Sequence, residues 1–242
     1  MAQGESQGTG QESVREFRLA DCDMRPATVD DIPAIVATLE AGRSLLAADG
    51  IDQWQNGTGP DVDLVTEDVE RGWGRVFLVD GQVAATAALI DEPEPNYAHM
   101  LEGAWRVLEG EAAPAGASSA YATIHRVAVA PAFRGMHVAQ RFYARLIEEA
   151  RARGFAEIRA DTHADNVRMQ HVIASAGFTR AVTVCMDCNE PPVHGALARQ
   201  TDPSQRQCGT QMAHASQAPR GACPPRGPQD QTLSRCPRGS QG

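Results

Sequence analysis

The sequence predicts an α/β fold: a mixed, mostly antiparallel twisted sheet with helices on both faces. Three observations lead there. "RVFLVDGQVAATAALI" at 75–90 consists of two apolar runs hinged on Asp80-Gly81, a strong hairpin signal. From residue 121 to 186 apolar strands alternate with amphipathic helices, the pattern of a layered sheet. Both ends of the chain lack the apolar content that a core requires, which confines the fold to about residues 21–188.

Taken in order, "DMRPAT" at 23–28 reads as a short strand ending in a helix start, where Thr28 can cap and Asp30 and Asp31 suit the positive end of a helix dipole. Ile32, Ile35, Val36, Leu39 and Leu46 form one face of a helix running to about Ala47. A loop follows at 50–60, then a short acidic helix at about 62–71 and the hairpin. Residues 91–120 read as an irregular insertion whose middle, "NYAHMLEGAWRVL", has a helical pattern. Next come a strand at 121–130, a helix from about His137 to Arg153 stopped by Gly154, and a strand at 156–163. A helix capped by Asp165-Asn166 and stopped by Gly177 precedes the strand at 178–186.

The flanks are set apart by composition. Residues 1–20 are rich in Gln, Gly, Ser and Glu, and no aromatic residue occurs from Asn189 to Gly242. Both read as disordered, an N-terminal extension at 1–20 and a tail at 189–242. "FTRAVTVCMDC" then stands as the last strand before the tail, leaving a further closing strand missing and one sheet edge open.

Formal net charge is -9, and setting aside the tail, with its six Arg and three acidic residues, leaves about -12 on the rest. All 22 basic residues are Arg, and no basic stripe follows a nucleic-acid backbone, so nucleic acid is not the expected partner. No run approaches the roughly 20 apolar residues of a membrane span, and no signal segment opens the chain. A soluble cytoplasmic protein is expected. Cys185 and Cys188 make a single CxxC without a matching pair, so no metal is expected.

The chemistry concentrates in "RVAVAPAFRGMHVAQRF" at 126–142, a strand entering a helix through a tight turn. Unpaired amides at such a helix start, with the dipole behind them, attract a phosphate or pyrophosphate. Val138, Phe142, Leu146 and Ala150 recur at spacing four and anchor that helix on the sheet.

Extended to "HRVAVAPAFRGMHVAQRF", this segment resembles the acetyl-CoA motif of the GNAT superfamily of N-acetyltransferases. "DNVRMQHVIASAGF" is similar to the family's Asn-headed helix closing in Gly-Phe, and "MRPATVDDIPAI" to its first strand and helix. With "GIDQWQNG" and "IRADTHADN", the resemblance spans about residues 23–186 and points to a small bacterial branch of undefined substrate. It implies acetyl-CoA as the donor co-substrate, with the arm lying along Val127, Ala128 and Val129, in the gap beside the strand of Asp161 and His163. The pyrophosphate is then expected on Arg134, Gly135, Met136, His137, Val138 and Ala139, with Asn166 a helix cap that also contacts the cofactor.

His137 stands where the family usually has glycine. If that glycine supplies only room, the imidazole turns to solvent and binding persists, the outcome the reading favours; if it supplies positive φ, His is strained and affinity falls. The family's leaving-group tyrosine falls by count on Ile173, so it is absent.

His125, placed on one face with Thr123, Val127 and Val129, is a candidate catalytic group or a satisfied core imidazole. His163 is a candidate general base or a turn residue, with Asp161 and Asp165 able to orient it. Trp54, Gln53, Tyr97, Glu102 and Trp105 are expected to wall the acceptor pocket, Glu102 drawing in a cation; the alternative is that the tryptophans pack the insertion on the sheet. The function expected is N-acetyl transfer to a primary amine of a small molecule or peptide by direct attack in a ternary complex. The alternative is a GNAT-like module that binds acetyl-CoA but is catalytically impaired.

Overall fold

The computed structural model of the chain describes residues 22–106 and 112–184 in full and the backbone of 194–200. Twelve elements follow in order: β1 (Cys22–Pro26), α1 (Ile32–Ala48), α2 (Val62–Glu70), β2 (Gly74–Val79), β3 (Gln82–Ile90), β4 (Met100–Gly103), β5 (Tyr121–Val129), α3 (Val138–Ala152), β6 (Glu157–His163), α4 (Val167–Ser175), β7 (Thr179–Val184) and β8 (His194–Gln200). They build one sheet in the order β1-β2-β3-β5-β6-β8-β7-β4. Every neighbouring pair is antiparallel except β5–β6.

Local chemistry sets the element ends. Both the Thr28 N–H and Oγ1 donate to Asp31 (2.8 and 2.9 Å), and the Arg25 guanidinium grips the same carboxylate at 2.7 and 2.9 Å. The Arg25 bond, against the cost of burial, holds the Asp31 carboxyl down at about 2. That stabilisation is complete above the ordinary carboxylate range and fades as pH falls toward 2. Asp61 caps α2 by accepting from Leu64 N–H at 2.9 Å, and Asn166 caps α4 by accepting from Met169 N–H at 3.1 Å. The β2–β3 hairpin turns on Asp80 and Gly81 with φ of 49° and 74°, the pair of positive values that matches strand twist.

The sheet is covered on both faces, as its near-continuous apolar strands require. Val138, Phe142, Leu146, Ile147 and Ala150 of α3 pack on Phe77, Leu89, Ala122, Ile124, Ile158 and Ala160. On the opposite face Ile35 and Leu39 of α1 and Val65 of α2 pack on Val76 and Ala128. A third cluster joins Tyr97, Trp105, Tyr121, Val182 and Val184.

Three expectations are corrected. The helical pattern at 96–108 resolves into a 3₁₀ turn, Pro95–Ala98, followed by β4, which takes its place beside β7. Pairing with β7 overrides local propensity there, and Gly103 at φ 90° comes so close to Ala181 O that a Cβ would lie 2.1 Å from it. The closing strand expected to be missing is present as β8, beyond the boundary placed at Cys188 and bonded to β6 on one side and β7 on the other. β7 therefore has β8 and β4 as partners and is not an open edge. A short strand was hidden by the Pro/Gln/Arg composition around it; ladder bonds on both sides sustain it.

The third correction concerns β5. Its register with β3 slips between Ala128, opposite Thr86, and His125, opposite Ala88, so one extra residue is accommodated. That residue is Arg126, at φ 57°. Such a bulge inverts the side-chain alternation. Ile124 and Val127 both enter the core under α3, whereas His125 turns to the other face, onto Tyr97 (ring centroids 6.1 Å apart). His125 thus does not share a face with Val127 and Val129. The CxxC at Cys185 and Cys188 lies outside the described residues.

Candidate active site

β5 and β6 pair in parallel only through Tyr121–Glu157, Ala122–Ile158 and Thr123–Arg159, and then separate. The gap opens into a cleft of about 800 Å³ lined by Val127, Ala128 and Val129, the turn before α3, Asp161 and Thr162 of β6, and the start of α4. Ala130 N–H donates to Ala84 O at 2.9 Å, so by alternation the amides of Val127 and Val129 face away from β3 and into this gap.

At the end of the cleft lies the start of α3, whose chemistry suits an anion. The helical ladder of α3 begins with Arg141 N–H donating to the His137 carbonyl at 3.3 Å, which leaves the amides of Val138, Ala139 and Gln140 directed outward. Gly135, at φ 80°, has open space where a Cβ would stand. Of the expected contacts, Val127, Ala128, Val129, Arg134, Gly135, His137, Val138, Ala139 and Asn166 line the cleft. Met136 packs against the core instead. Arg134 braces the loop: its Nε donates to Val129 O at 3.2 Å and its Nη2 to Ala41 O of α1 at 2.9 Å.

His137 caps α3 at φ 57° and ψ 23°, the left-handed region. The backbone here is thus one that glycine adopts without strain, which matches the less favoured of the two readings. His is among the few non-glycine residues enriched there, which explains its tolerance. His137→Gly is expected to raise stability by about 0.5–1 kcal/mol, the left-handed penalty less the added chain entropy, while the thermal shift on adding acetyl-CoA is kept or enlarged. His137→Val, β-branched, should lower both; a glycine variant less stable than the parent would overturn the backbone account.

The other end is acidic and holds His125. Its Nδ1 lies 3.4 Å from Asp161 Oδ1 and its Nε2 lies 3.3 Å from Glu94 Oε2. The Nε2 is buried and its approach to Glu94 lacks hydrogen-bond geometry. Tyr97 Oη donates to Asp161 Oδ1 at 2.8 Å, fixing that carboxylate under the imidazole. Burial, with the Asp161 charge beside it, pushes the Tyr97 hydroxyl well up, so it stays protonated. Burial opposes ionisation of Glu94, yet the His125 imidazole and the two Asn96 donors outweigh it and hold the carboxyl below its usual range. Two ties then span the cleft: Asn166 Nδ2 to Gln53 Oε1 at 2.8 Å, and Arg168 Nη2 to Asp49 Oδ2 at 2.6 Å.

The remaining candidates separate. Trp54, at φ 64°, lines the cleft, and Gly59 lets it do so, since a Cβ there would lie 2.9 Å from the Trp54 Cβ and carbonyl oxygen. Tyr97 and Trp105 are buried beneath the site, Trp105 Nε1 donating to Tyr97 O at 3.1 Å, so the packing alternative holds for Trp105. Glu102 lies on β4 opposite Thr183, exposed and outside the cleft lining, whereas Glu94 lines the cleft. His163 is buried outside the cleft lining, its Nδ1 accepting from Asp165 N–H at 3.1 Å, which makes it a turn residue. Ile173 is core. Among the described residues no group of three or more His, Cys, Asp or Glu could hold a metal ion, and no helix is long and apolar enough to cross a membrane.

Comparison with known proteins gives the cleft its family. The model of the acetyltransferase (GNAT) family matches residues 42–178. A GNAT-family acetyltransferase of Streptococcus agalactiae is 31% identical, with 75% of this chain and 96% of that one covered at a TM-score of 0.65. Two further crystal structures share the fold: a GNAT-family protein of Listeria monocytogenes (17% identity, 74% and 95% covered, TM-score 0.57) and yncA of Salmonella typhimurium, solved with its cofactor acetyl-CoA (20%, 76% and 95%, TM-score 0.52). No curated protein matches significantly. A sheet parted at β5–β6, a helix start with outward amides beside the gap, and these likenesses agree: the chain belongs to the GNAT family and is an acyl-CoA-dependent N-acetyltransferase that uses acetyl-CoA.

Proposed function

We propose that the protein acts in the cytoplasm to move an acetyl group onto the primary amine of a small molecule or peptide by direct attack in a ternary complex, with His125 as the general base. The observation that carries this is the placement of His125 between Glu94 and Asp161 beside the point where β5 leaves β6. An amine arrives as a cation, which the two carboxylates attract, and must lose a proton before it attacks. The imidazole accepts that proton, and the flanking carboxylates stabilise the imidazolium that forms. Amides of Val127 and Val129 suit the acyl-carrying arm, and those of Val138 to Gln140 the pyrophosphate. The fold-matched Salmonella protein, solved with acetyl-CoA, supports this use of the cleft.

Initial rates with acetyl-CoA and a panel of diamines, amino-acid amides and short peptides test the proposal. Intersecting double-reciprocal lines are expected; parallel lines with a burst of free CoA would instead indicate an acetylated enzyme and overturn direct attack. A cofactor-induced thermal shift with no turnover across the panel would favour the binding-only module.

A further inference from the structure

Transfer to an amine also leaves negative charge on the departing sulfur, and the His125 group, with two carboxylates, repels it. Those side chains occupy one face of the parted sheet. The other face has different chemistry. Along β6, Ile158 and Ala160 enter the core under α3, so Thr162 points the same way and lines the cleft from that side. Among the described residues its Oγ1 has no hydrogen-bond partner, and the residue is 1% exposed. Tyr143 of α3 also lines the cleft. Its ring is fixed edge-on to Phe178, centroids 6.0 Å apart, and among the described residues its hydroxyl meets only Met169 Sδ at 3.8 Å, a weak acceptor. Two buried hydroxyls without a strong acceptor are costly unless a ligand supplies one.

We propose that Tyr143 and Thr162 form a sulfur site, two neutral donors that hold the departing thiol of CoA as a thiolate. The inference rests on the acetyl-CoA reading of the cleft. During transfer the amine nitrogen bonds to the acyl carbon, the carbon–sulfur bond breaks and its electron pair stays on sulfur. His125 takes two protons in turn, one from the ammonium before attack and one from the nitrogen after it has bonded to carbon, passing each to solvent, and the thiolate takes a solvent proton on release. Tyr143 does not give up its own proton: burial, and then the Asp161 charge, push its hydroxyl far above the ordinary tyrosine range. It is a donor that stays a donor.

The test reads the bound thiol itself. CoA is added to the full-length protein and the thiolate is titrated by its ultraviolet absorbance, with desulfo-CoA as the blank to cancel the protein's own thiols. Asp161, His125 and Glu94 line the cleft in every variant, so their charges stay common to all the titrations. In the parent protein the bound thiol is expected to titrate about one unit below the ordinary thiol value. Tyr143→Phe should return most of that shift and Thr162→Val a smaller part, with CoA affinity changed less than threefold at low pH. A parent value at or above that of free CoA would overturn the site, as would variants indistinguishable from the parent. Should Phe at 143 prevent cooperative unfolding, Thr162→Val carries the test alone. Failure of the parent to bind CoA would sink the acetyl-CoA reading itself, a result distinct from normal binding with an unshifted thiol.

Discussion

Replacing His125 with Gln is expected to lower kcat by about 10²–10⁴-fold with the amine acceptor while leaving the thermal shift on acetyl-CoA intact. Gln fills much of the same space beside Tyr97 and can still hydrogen-bond, so the cluster stays packed while the group able to take a proton is gone. Glu94→Gln should cost less, since Asp161 still faces the imidazolium through Nδ1 at 3.4 Å. A His125→Gln enzyme with near-parental kcat would remove His125 from the chemistry and return it to the core reading.

Arg159→Ala is expected to cost about 3–5 kcal/mol of folding stability, measured by urea unfolding with the midpoint and slope both fitted. Arg159 and Glu157 are bonded at 2.7 Å with side chains 1% and 0% exposed. The guanidinium also lies 3.5 Å from the Tyr121 ring centroid and 3.9 Å from that of Trp105. Removing it takes the cationic partner from a buried carboxylate and empties the space between two rings. Replacing both partners, as Glu157→Gln with Arg159→Met, should recover much of the loss, because an uncharged pair avoids the cost of burying ions. The same change reaches the active site. Trp105 donates to the Tyr97 carbonyl and Tyr97 holds Asp161, so the single variant should also lose activity beyond its loss of folded protein.

Much of this architecture was legible in the sequence because local signals and tertiary demands agree there. Asp80-Gly81, Asn166, Gly154 and Gly177 mark turns, caps and stops that the structure uses as such. The tight turn from strand to helix before α3 could likewise be read from residue types alone. What stayed hidden depends on distant partners. Arg126 makes a bulge without glycine, its guanidinium bonded to Asp68 of α2 at 2.7 and 2.5 Å, and nothing in "IHRVAV" announces the inverted alternation that turns His125 toward Glu94. Glu94 itself belongs to an acidic, proline-rich connection where no periodicity singles it out. Tyr143 stands outside the spacing-four set Val138, Phe142, Leu146 and Ala150, and only the cleft shows what its hydroxyl faces.

β8 has a consequence for how the molecule is made. β6 and β7 do not pair with each other; each pairs with β8, and β4 pairs with β7. The strand that joins the two halves of the sheet is therefore the last of them to leave the ribosome. Until it arrives, nascent β6, which carries Asp161 and Thr162, has one short parallel neighbour, and β4–β7 is a separate ribbon. Assembly of the active site must wait for residues near 200, so ribosome stalling or premature termination before that point should yield a chain with most of its core and no working cleft.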